Sequence, residues 1–374
     1  MKFLIAPSPY KGTYRAGELA DAIASGIRRA IPQSLTRCLP LADGGDGTIE
    51  AIAGVLGGKL ESLTVPGPTG AMVEAAWLCL GEAGAVVELA SASGIAHLDG
   101  ALAPLDASTI GTGYLLADCL DKCNRRNIEN IVLTVGGSAS TDGGTGILQA
   151  LGARFLDRQG RDLRGCGRNL EMIETIDLDS LSPLATICAT NLRIATDVTN
   201  PLLGELGAAR IFAPQKGADS RTVELLEKGM RNFADRLEST TGRSARAAEG
   251  AGAAGGVPFG LMAALGARLV RGFSYLDGLL GIEAAVAGAD IVVTAEGRLD
   301  SQSLGGKAAG ELADICRKHR RPLWVIPACL EDGMDFKASG ISAVETAAPA
   351  QGERATLRDV ENAAFRLCLR EAES

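Results

Sequence analysis

Histidine is almost absent from this chain of 374 residues, since only His97 and His319 occur. A metal site built on two histidines, or a serine–histidine–acid triad, is therefore not expected. Cysteine occurs nine times but never as Cys-x-x-Cys, a spacing that zinc sites and redox motifs often use. We therefore expect buried, reduced thiols rather than a zinc site or a disulfide framework.

A surplus of basic residues and a long apolar run are also missing. Lys and Arg number 37 against 45 Asp and Glu, giving a formal net charge of -8, whereas nucleic-acid binders are typically basic. The longest uncharged run, residues 251–267, is interrupted by glycines and Pro258, and Pro7 stops the N-terminal apolar run before the length of a signal peptide. The sequence predicts a cytoplasmic protein with neither nucleic acid nor membrane as a partner.

Glycine, in contrast, is abundant. It supplies 48 of the 374 residues, about 13 % against a usual 7 % or so. Glycine without collagen-like periodicity indicates tight loops where backbone approaches backbone or a ligand. The length predicts about two domains.

The two ends of the chain show the same alternation of short apolar segments and helical spacing. This pattern predicts strands over residues 3–6, 36–41, 291–294 and 323–326 and helices over residues 16–31, 48–56 and 307–319. Alternating strands and helices with glycine-rich turns predict an α/β fold with a Rossmann-like, doubly wound parallel sheet.

The middle of the chain has a different pattern. Residues 60–88 alternate apolar segments with turn signals, as antiparallel hairpins do. We therefore predict a discontinuous Rossmann-like domain from residues 1–65 and 286–374. A mixed α/β domain with glycine-rich loops, residues 66–285, would be inserted into it, and the active-site cleft is expected between the two.

One glycine pattern occurs twice, as Asp43-Gly44-Gly45-Asp46-Gly47 and as Asp142-Gly143-Gly144-Thr145-Gly146. Small residues at the start of a helix can expose backbone N–H groups to a phosphate, and a neighbouring acid can hold a cation. Gly136-Gly137-Ser138 extends the second loop. A tight turn with Asp as the helix N-cap is the alternative for either loop alone, but the repetition of the pattern with an acid attached favours phosphate and Mg²⁺.

The segment Gly250-Ala-Gly252-Ala-Ala-Gly255 matches the dinucleotide pattern GxGxxG, but no strand precedes it. It reads equally well as a phosphate-binding loop before a helix over residues 259–270 and as a site of close packing.

Gly305-Gly306-Lys307 is not a P-loop, because Ser301 and Ala308 replace the required Gly and Ser or Thr. The protein-kinase HRD and DFG motifs are absent as well. A lysine at a helix start is electrostatically unfavourable, so phosphate pairing explains Lys307 better than solvation does.

Three further segments follow predicted strands or lie in turns. Glu296-Gly297-Arg298-Leu299-Asp300 brings two carboxylates and an arginine to the end of a strand, where open α/β sheets bind ligands, although a surface ion pair is the alternative. Asp197-Val-Thr-Asn200-Pro201 forms a stiff loop after a strand-like segment, and Lys216 lies in a turn of small residues. Alone, each of the last two is more often a plain turn.

Together these segments resemble the bacterial glycerate kinase family of the galactarate-pathway, glycerate 2-kinase type. The matching blocks run in family order along nearly the whole chain: Ala6-Pro7 with Lys11, 42–45, 136–139 with 142–144, 197–202, 214–218, 250–256, 296–298, Asp300, Gln302 and 306–307. The resemblance implies a two-domain α/β enzyme that phosphorylates D-glycerate with ATP and Mg²⁺, with 2-phosphoglycerate the favoured product.

Together with the motifs, this resemblance implies a role for each candidate site residue. The catalytic residues would be Asp197, Lys11 and Lys307, with Asp197 as the base. Glu296 and Asp300 would hold Mg²⁺. Substrate or phosphate would be bound by Asp43, Gly44, Gly45, Gly137, Ser138, Asp142, Asn200, Lys216, Gly252, Gly255 and Arg298. Glycerate and ATP are the expected partners, and a homodimer is left open.

Two other functions remain as alternatives: a kinase for a related small hydroxy-acid, and a non-catalytic nucleotide-binding sensor. The chain departs from the family pattern where Ser8, Pro9 and Tyr10 replace Asp-Ser-Phe. It departs again at Ser140-Thr141, in place of Thr-Asn, and at Ala328-Cys329, in place of Gly-Ser. Losing the acid at position 8 removes a candidate Mg²⁺ ligand or substrate contact.

Overall fold

The computed structural model describes residues 1–10, 12–41, 44–181, 191–299, 308–331, 336, 339–347 and 354–372. The strands are β1 (Lys2–Ile5), β2 (Leu35–Cys38), β3 (Lys59–Pro66), β4 (Met72–Cys79), β5 (Ala85–Glu88), β6 (Ile131–Thr134), β7 (Arg154–Leu156), β8 (Thr175–Asp177), β9 (Leu192–Ala195), β10 (Arg268–Val270), β11 (Ile291–Leu299), β12 (Leu323–Leu330) and β13 (Ala343–Val344). The helices are α1 (Ala16–Ala30), α2 (Thr48–Leu56), α3 (Leu89–Ser93), α4 (Ile110–Arg125), α5 (Thr145–Ala150), α6 (Ala208–Phe212), α7 (Ser220–Thr241), α8 (Ala253–Leu265), α9 (Gly272–Leu280), α10 (Ile282–Gly288), α11 (Ala308–Lys318) and α12 (Leu357–Ala372).

The chain divides into two compact units. The terminal unit comprises residues 1–43, 50–57 and 273–374, and the inserted unit comprises residues 44–49 and 58–272. The first boundary lies earlier than the predicted 65/66, because β3 pairs along its whole length with β4 and so belongs to the inserted sheet. The second boundary also lies earlier, at 272/273 rather than 285/286.

The terminal unit is built on a parallel sheet of five strands in the order β13-β12-β11-β1-β2. Both faces are buried: Phe3 and Ile5 pack with α1 and α12 on one face, and Leu4 and Val292 are buried on the other. α1 approaches α12 so closely at Gly26 that a side chain there would meet the Glu361 carbonyl. This arrangement confirms the predicted α/β fold with a doubly wound parallel sheet.

The inserted unit has a mixed sheet of six strands in the order β10-β9-β6-β5-β4-β3. β3, β4 and β5 form the antiparallel part that the sequence predicts, and β5, β6, β9 and β10 are parallel. β7 and β8 form a separate two-stranded hairpin. Phe233 lies at the centre of the core, with its ring edge-to-face against Phe155 and Phe259 at centroid distances of 5.9 and 5.7 Å.

Several element boundaries differ from the prediction. The helix expected over residues 259–270 starts earlier and ends at Leu265, because Gly266 takes the left-handed conformation and the chain then forms β10 against β9. β11 continues to Leu299 instead of ending at residue 294, so Glu296 and Arg298 lie within the strand. None of the helices in the described ranges is long and apolar enough to cross a membrane.

Candidate active site

In the terminal unit, the strand order places β1 and β11 at a switch point. β2 lies on one side of β1, and the later strands lie on the other, which is where open α/β sheets bind ligands beyond the carboxyl ends. The segment after β1 carries Ser8, which is buried and donates a hydrogen bond from Oγ to Glu296 Oε1 at 2.7 Å. This bond holds the Glu296 carboxylate at the end of the sheet.

Tyr10 ties the same segment to β12. Its hydroxyl donates to the Ile326 carbonyl at 2.8 Å. Burial, and next the charge of Glu296, raise the pKa of Tyr10 well above its ordinary value, so the phenol stays neutral. Arg298 is exposed and, two residues along the strand from Glu296, points to the same face.

In the inserted unit, two predicted glycine loops pack on each other. Gly136 N donates to the Gly44 carbonyl at 2.9 Å, and a side chain on Gly136 would come within 2.7 Å of the Gly45 backbone. Gly44 and Gly45 are both buried, whereas Gly137 is exposed and left-handed, with φ 72°. Gly137 therefore presents backbone to solvent beside β6.

Glu88, at the carboxyl end of β5, is a residue that the sequence reasoning missed. It is buried, and its carboxylate accepts from Gly47 N at 3.1 Å and from Ile49 N at 3.0 Å. The backbone N–H groups at the start of α2, which were expected to bind phosphate, thus donate hydrogen bonds to a carboxylate of the protein itself. The sequence pattern that could have identified Glu88 is an acidic residue at the end of an apolar strand. The same pattern led to the prediction of Glu296.

Asp142 anchors its loop from the inside. Its fully buried carboxylate accepts from Thr109 N and Thr109 Oγ1 at 2.8 Å and from Gly144 N and Gly146 N at 3.2 Å. Burial raises the pKa of Asp142, and these hydrogen bonds oppose the rise. Residues 141–148 are all buried, and the Asp142 carboxylate stabilises a tight turn whose helix N-cap is Gly144. The contact of this loop with phosphate stays a prediction.

The loop over residues 250–256 is also explained by close packing. A side chain at Gly252 would meet the Pro201 carbonyl, and one at Gly255 would meet the Ser140 carbonyl. Ala254 between them is left-handed, with φ 50°. Packing accounts for both glycines, and their phosphate contact stays a prediction.

Lys216 is a lysine whose side chain is buried in the inserted unit. Pro214 begins its short 3-10 turn, and left-handed Gly217 ends it. The ammonium is buried and donates to Ser138 Oγ at 2.8 Å and to the Ser140 carbonyl. Burial lowers the pKa of Lys216 to about 7, against a small opposing effect of Asp142. A buried cation held by neutral oxygens at a strand end is suited to recognise an anion.

Asp197 and Asn200 lie on the loop after β9. Asp197 is exposed, and Gly272 leaves room for its Oδ2, since a side chain at Gly272 would come within 2.9 Å of that oxygen. Asn200 Nδ2 donates to the Leu206 carbonyl at 2.8 Å, so its amide stabilises the turn. The Asn200 amide therefore has a structural task, and the role of Asp197 as the base stays a prediction.

Comparison with known proteins matches this chain from residue 3 to residue 368 to the model of the glycerate kinase family. The glycerate 2-kinase of Escherichia coli K12 is 37 % identical over 347 residues, covering 92 % of this chain and 90 % of its own. A glycerate kinase of Halalkalibacterium halodurans is 39 % identical over 335 residues, covering 89 % of this chain and 86 % of its own. This chain belongs to the glycerate kinase family.

A solved structure supports the family assignment over the whole length. The crystal structure of a protein provisionally assigned as glycerate kinase 2 from Salmonella typhimurium LT2 has a TM-score of 0.83 and 36 % identity. It covers 100 % of this chain and 98 % of that chain. The resemblance stated from the motifs is thereby confirmed, and so is the prediction of a kinase enzyme.

Three predicted site residues of this glycerate kinase family member, Ser138, Lys216 and Glu296, take part in side-chain contacts within their own units; Ser8, the partner of Glu296, was noted only as a departure from the family pattern. Ser138 contacts Lys216 in the inserted unit, and Glu296 contacts Ser8 in the terminal unit. Gly44 and Gly45 pack against Gly136 rather than against solvent. Lys11, Asp43, Asp300 and Lys307 lie outside the described residues, and their roles stay predictions.

Proposed function

We propose that this protein phosphorylates D-glycerate with ATP and Mg²⁺ and forms 2-phosphoglycerate. The observation that carries the proposal is the buried ammonium of Lys216 beside Ser138 and the exposed Gly137 turn, at the carboxyl end of β6. Glycerate carries a carboxylate and ATP carries phosphates, so both reactants need fixed positive charge and hydrogen-bond donors. Membership of the family supports the choice of glycerate.

Magnesium fits the donor atoms of the terminal unit. Mg²⁺ prefers oxygen ligands and is usually bound by one or two carboxylates together with substrate phosphates. Glu296 supplies a half-buried carboxylate at the switch point, and the Ser8 hydroxyl fixes one of its oxygens. We assign the metal to Glu296 and Asp300. Bound there, Mg²⁺ would neutralise charge on the phosphates.

Asp197 is the proposed base. Its exposed carboxylate would accept the proton of the substrate hydroxyl while that oxygen bonds to the γ-phosphorus and the bond to ADP breaks. Arg298, Lys11 and Lys307 would neutralise phosphate charge, because phosphoryl transfer depends mainly on positioning and on charge compensation. Asp142 and Glu88 would keep the loops of the inserted unit in place.

The proposal is tested by measuring ADP release from MgATP with D-glycerate and with a panel of other small hydroxy-acids. We expect ADP release that requires an acceptor and is fastest with D-glycerate. Turnover of another acid without turnover of glycerate would replace the substrate but keep the kinase. Binding of ATP without ADP release with any acceptor would support the sensor alternative and overturn the proposal.

A further inference from the structure

The pair formed by Ser138 and Lys216 has a directional hydrogen bond. The ammonium has three N–H donors and no acceptor, so Lys216 must be the donor and Ser138 Oγ the acceptor, at 2.8 Å. The Ser138 hydroxyl hydrogen is then available for another partner. Ser138 itself is held from both sides, because Ile95 N donates to the Gly137 carbonyl and Ala139 N to the Ser93 carbonyl.

The charge of Lys216 lacks a direct counter-ion in the described ranges of the chain. Its two hydrogen-bond acceptors there are a hydroxyl and a carbonyl oxygen, and both are neutral. Asp142 is the acidic group that faces it, but that carboxylate is already taken by N–H and O–H donors from Thr109, Gly144 and Gly146. Cys166, near Asp142, is a neutral thiol because burial raises its pKa.

We propose that the Ser138 hydroxyl, polarised by Lys216, contacts an anionic group of the ligand, and that this contact is coupled to proton uptake by Lys216. A buried ammonium beside neutral oxygens loses hydration without gaining a counter-charge, so part of the population releases its proton. An anion on the far side of Ser138 supplies that charge and favours the protonated form. This inference deepens the proposed function, and rests on it only for the choice of D-glycerate as a ligand.

The direction of the pH dependence follows from linkage. Burial lowers the pKa of Lys216 to about 7 in the free protein, and a bound anion raises it again. Below pH 7 the lysine is already charged and binding takes up few protons. Above pH 7 each binding event takes up a proton, so affinity falls by up to about tenfold per pH unit.

The test is titration calorimetry of the purified protein with D-glycerate and, separately, with sulfate. Both anions keep a constant charge between pH 6 and pH 8, and glycerol serves as the neutral control. Proton uptake is obtained from the same titration in two buffers of different ionisation enthalpy. We expect about 0.1 proton per site at pH 6 and about 0.8 or more at pH 8 for whichever anion binds beside Ser138.

Substitutions distinguish the contribution of Ser138 and Lys216 to anion binding and proton uptake from that of other groups. Lys216→Met should bind the anion at least tenfold more weakly and without proton uptake, and Ser138→Ala should weaken binding with Lys216 intact. Lys228→Met, which removes an exposed lysine paired with Glu171, should match the parent protein. If Lys216→Met does not fold, the number of protons that the parent protein takes up on anion binding at pH 6 and at pH 8 still tests the inference.

Anion binding with the same small proton count at pH 6 and pH 8, or with uptake unchanged in Lys216→Met, would overturn the inference. Failure of both anions to bind would overturn it too. Phosphorylation of glycerate without this uptake would leave the proposed function standing. Lys216-dependent uptake with sulfate, in a protein that does not phosphorylate glycerate, would uphold the inference and overturn the function.

Discussion

At the scale of single residues, each unit carries polar side chains that follow buried strands. Ser8 follows β1, Ser138 follows β6 and Asp197 follows β9, and the sheets bring each of them to a carboxyl edge. These three residues differ in burial and in hydrogen-bond partners, and their proposed roles differ accordingly. Asp197 is exposed, whereas Ser8 and Ser138 are buried and each is bonded to a charged group.

Replacing Asp197 by Asn keeps the shape of the side chain and removes its charge. If Asp197 accepts the proton of the substrate hydroxyl, turnover should fall by about 10² or more while the protein stays folded. Asp179→Asn, at another exposed acid of the inserted unit, is the matched control and should leave the rate unchanged. Near-normal turnover of Asp197→Asn would remove this residue from the mechanism.

Replacing Ser8 by Asp places a second carboxylate beside Glu296, where a hydroxyl now donates at 2.7 Å. Two neighbouring carboxylates bind a divalent cation more tightly but repel each other without one. We therefore expect Ser8→Asp to lower the Mg²⁺ concentration for half-maximal activity several-fold and to change kcat/KM for glycerate. Ser8→Thr keeps the hydroxyl and is the control. An unchanged Mg²⁺ dependence in both variants would argue against a metal at Glu296.

At the scale of elements, the order of strands and helices could be predicted, but the surroundings of the loops could not. Strand and helix patterns are local, so β1 was placed to within one residue and α2 was placed correctly from their apolar spacing. Burial of the loop at residues 142–146 depends on packing against residue 255 and on α7, which are far away in sequence. The two similar glycine loops therefore could not be recognised as packing sites from their composition.

Gly136→Ala tests the contact between the two glycine loops. The added Cβ would come within 2.7 Å of Gly45, so backbone must shift, and we expect a loss of about 1–3 kcal/mol in unfolding free energy and a higher KM for glycerate. Gly278→Ala, in α9, meets nothing within 4 Å and should be neutral or stabilising by up to about 1 kcal/mol. Equal stabilities of the two variants, by denaturant unfolding, would contradict this packing.

Glu61 joins edge strand β3 to helix α4. Hydrogen bonds from Lys59 and Lys122 lower the pKa of this carboxyl to about 2 from an ordinary value of 4.5. A depressed carboxyl pKa stabilises the fold above pH 4.5, and that contribution is lost as the pH falls towards 2. Its size is about 1 kcal/mol, because the Lys59 partner is exposed and screened by solvent.

Denaturant unfolding of Glu61→Gln should therefore show a loss of about 1 kcal/mol at pH 7 that shrinks as the pH is lowered from 4.5 to 3. Glu82→Gln, at an exposed acid of the same unit, should show neither effect. A loss that stays constant over this pH range would mean that the ion pairs are not its cause.

At the scale of the whole molecule, membership of the glycerate kinase family and the α/β fold were both readable from motifs spread along the chain. The two compact units of the structure have boundaries that differ from the predicted ones. The reason is that strand pairing, such as that of β3 with β4, joins segments whose separate patterns do not show the partner. The roles of individual carboxylates and lysines could be proposed from the sequence, and they remain to be measured.

The most direct test of the account is proton-coupled ³¹P NMR of the complete reaction with MgATP and D-glycerate. We predict that ADP and a new phosphomonoester form in equal amounts, and only when protein, ATP and glycerate are all present. The new signal should be a doublet, because phosphorus on the 2-hydroxyl couples to one proton. A triplet would place the phosphate on the 3-hydroxyl and contradict the proposed product. The absence of any phosphomonoester from glycerate, with the protein folded, would contradict the function itself.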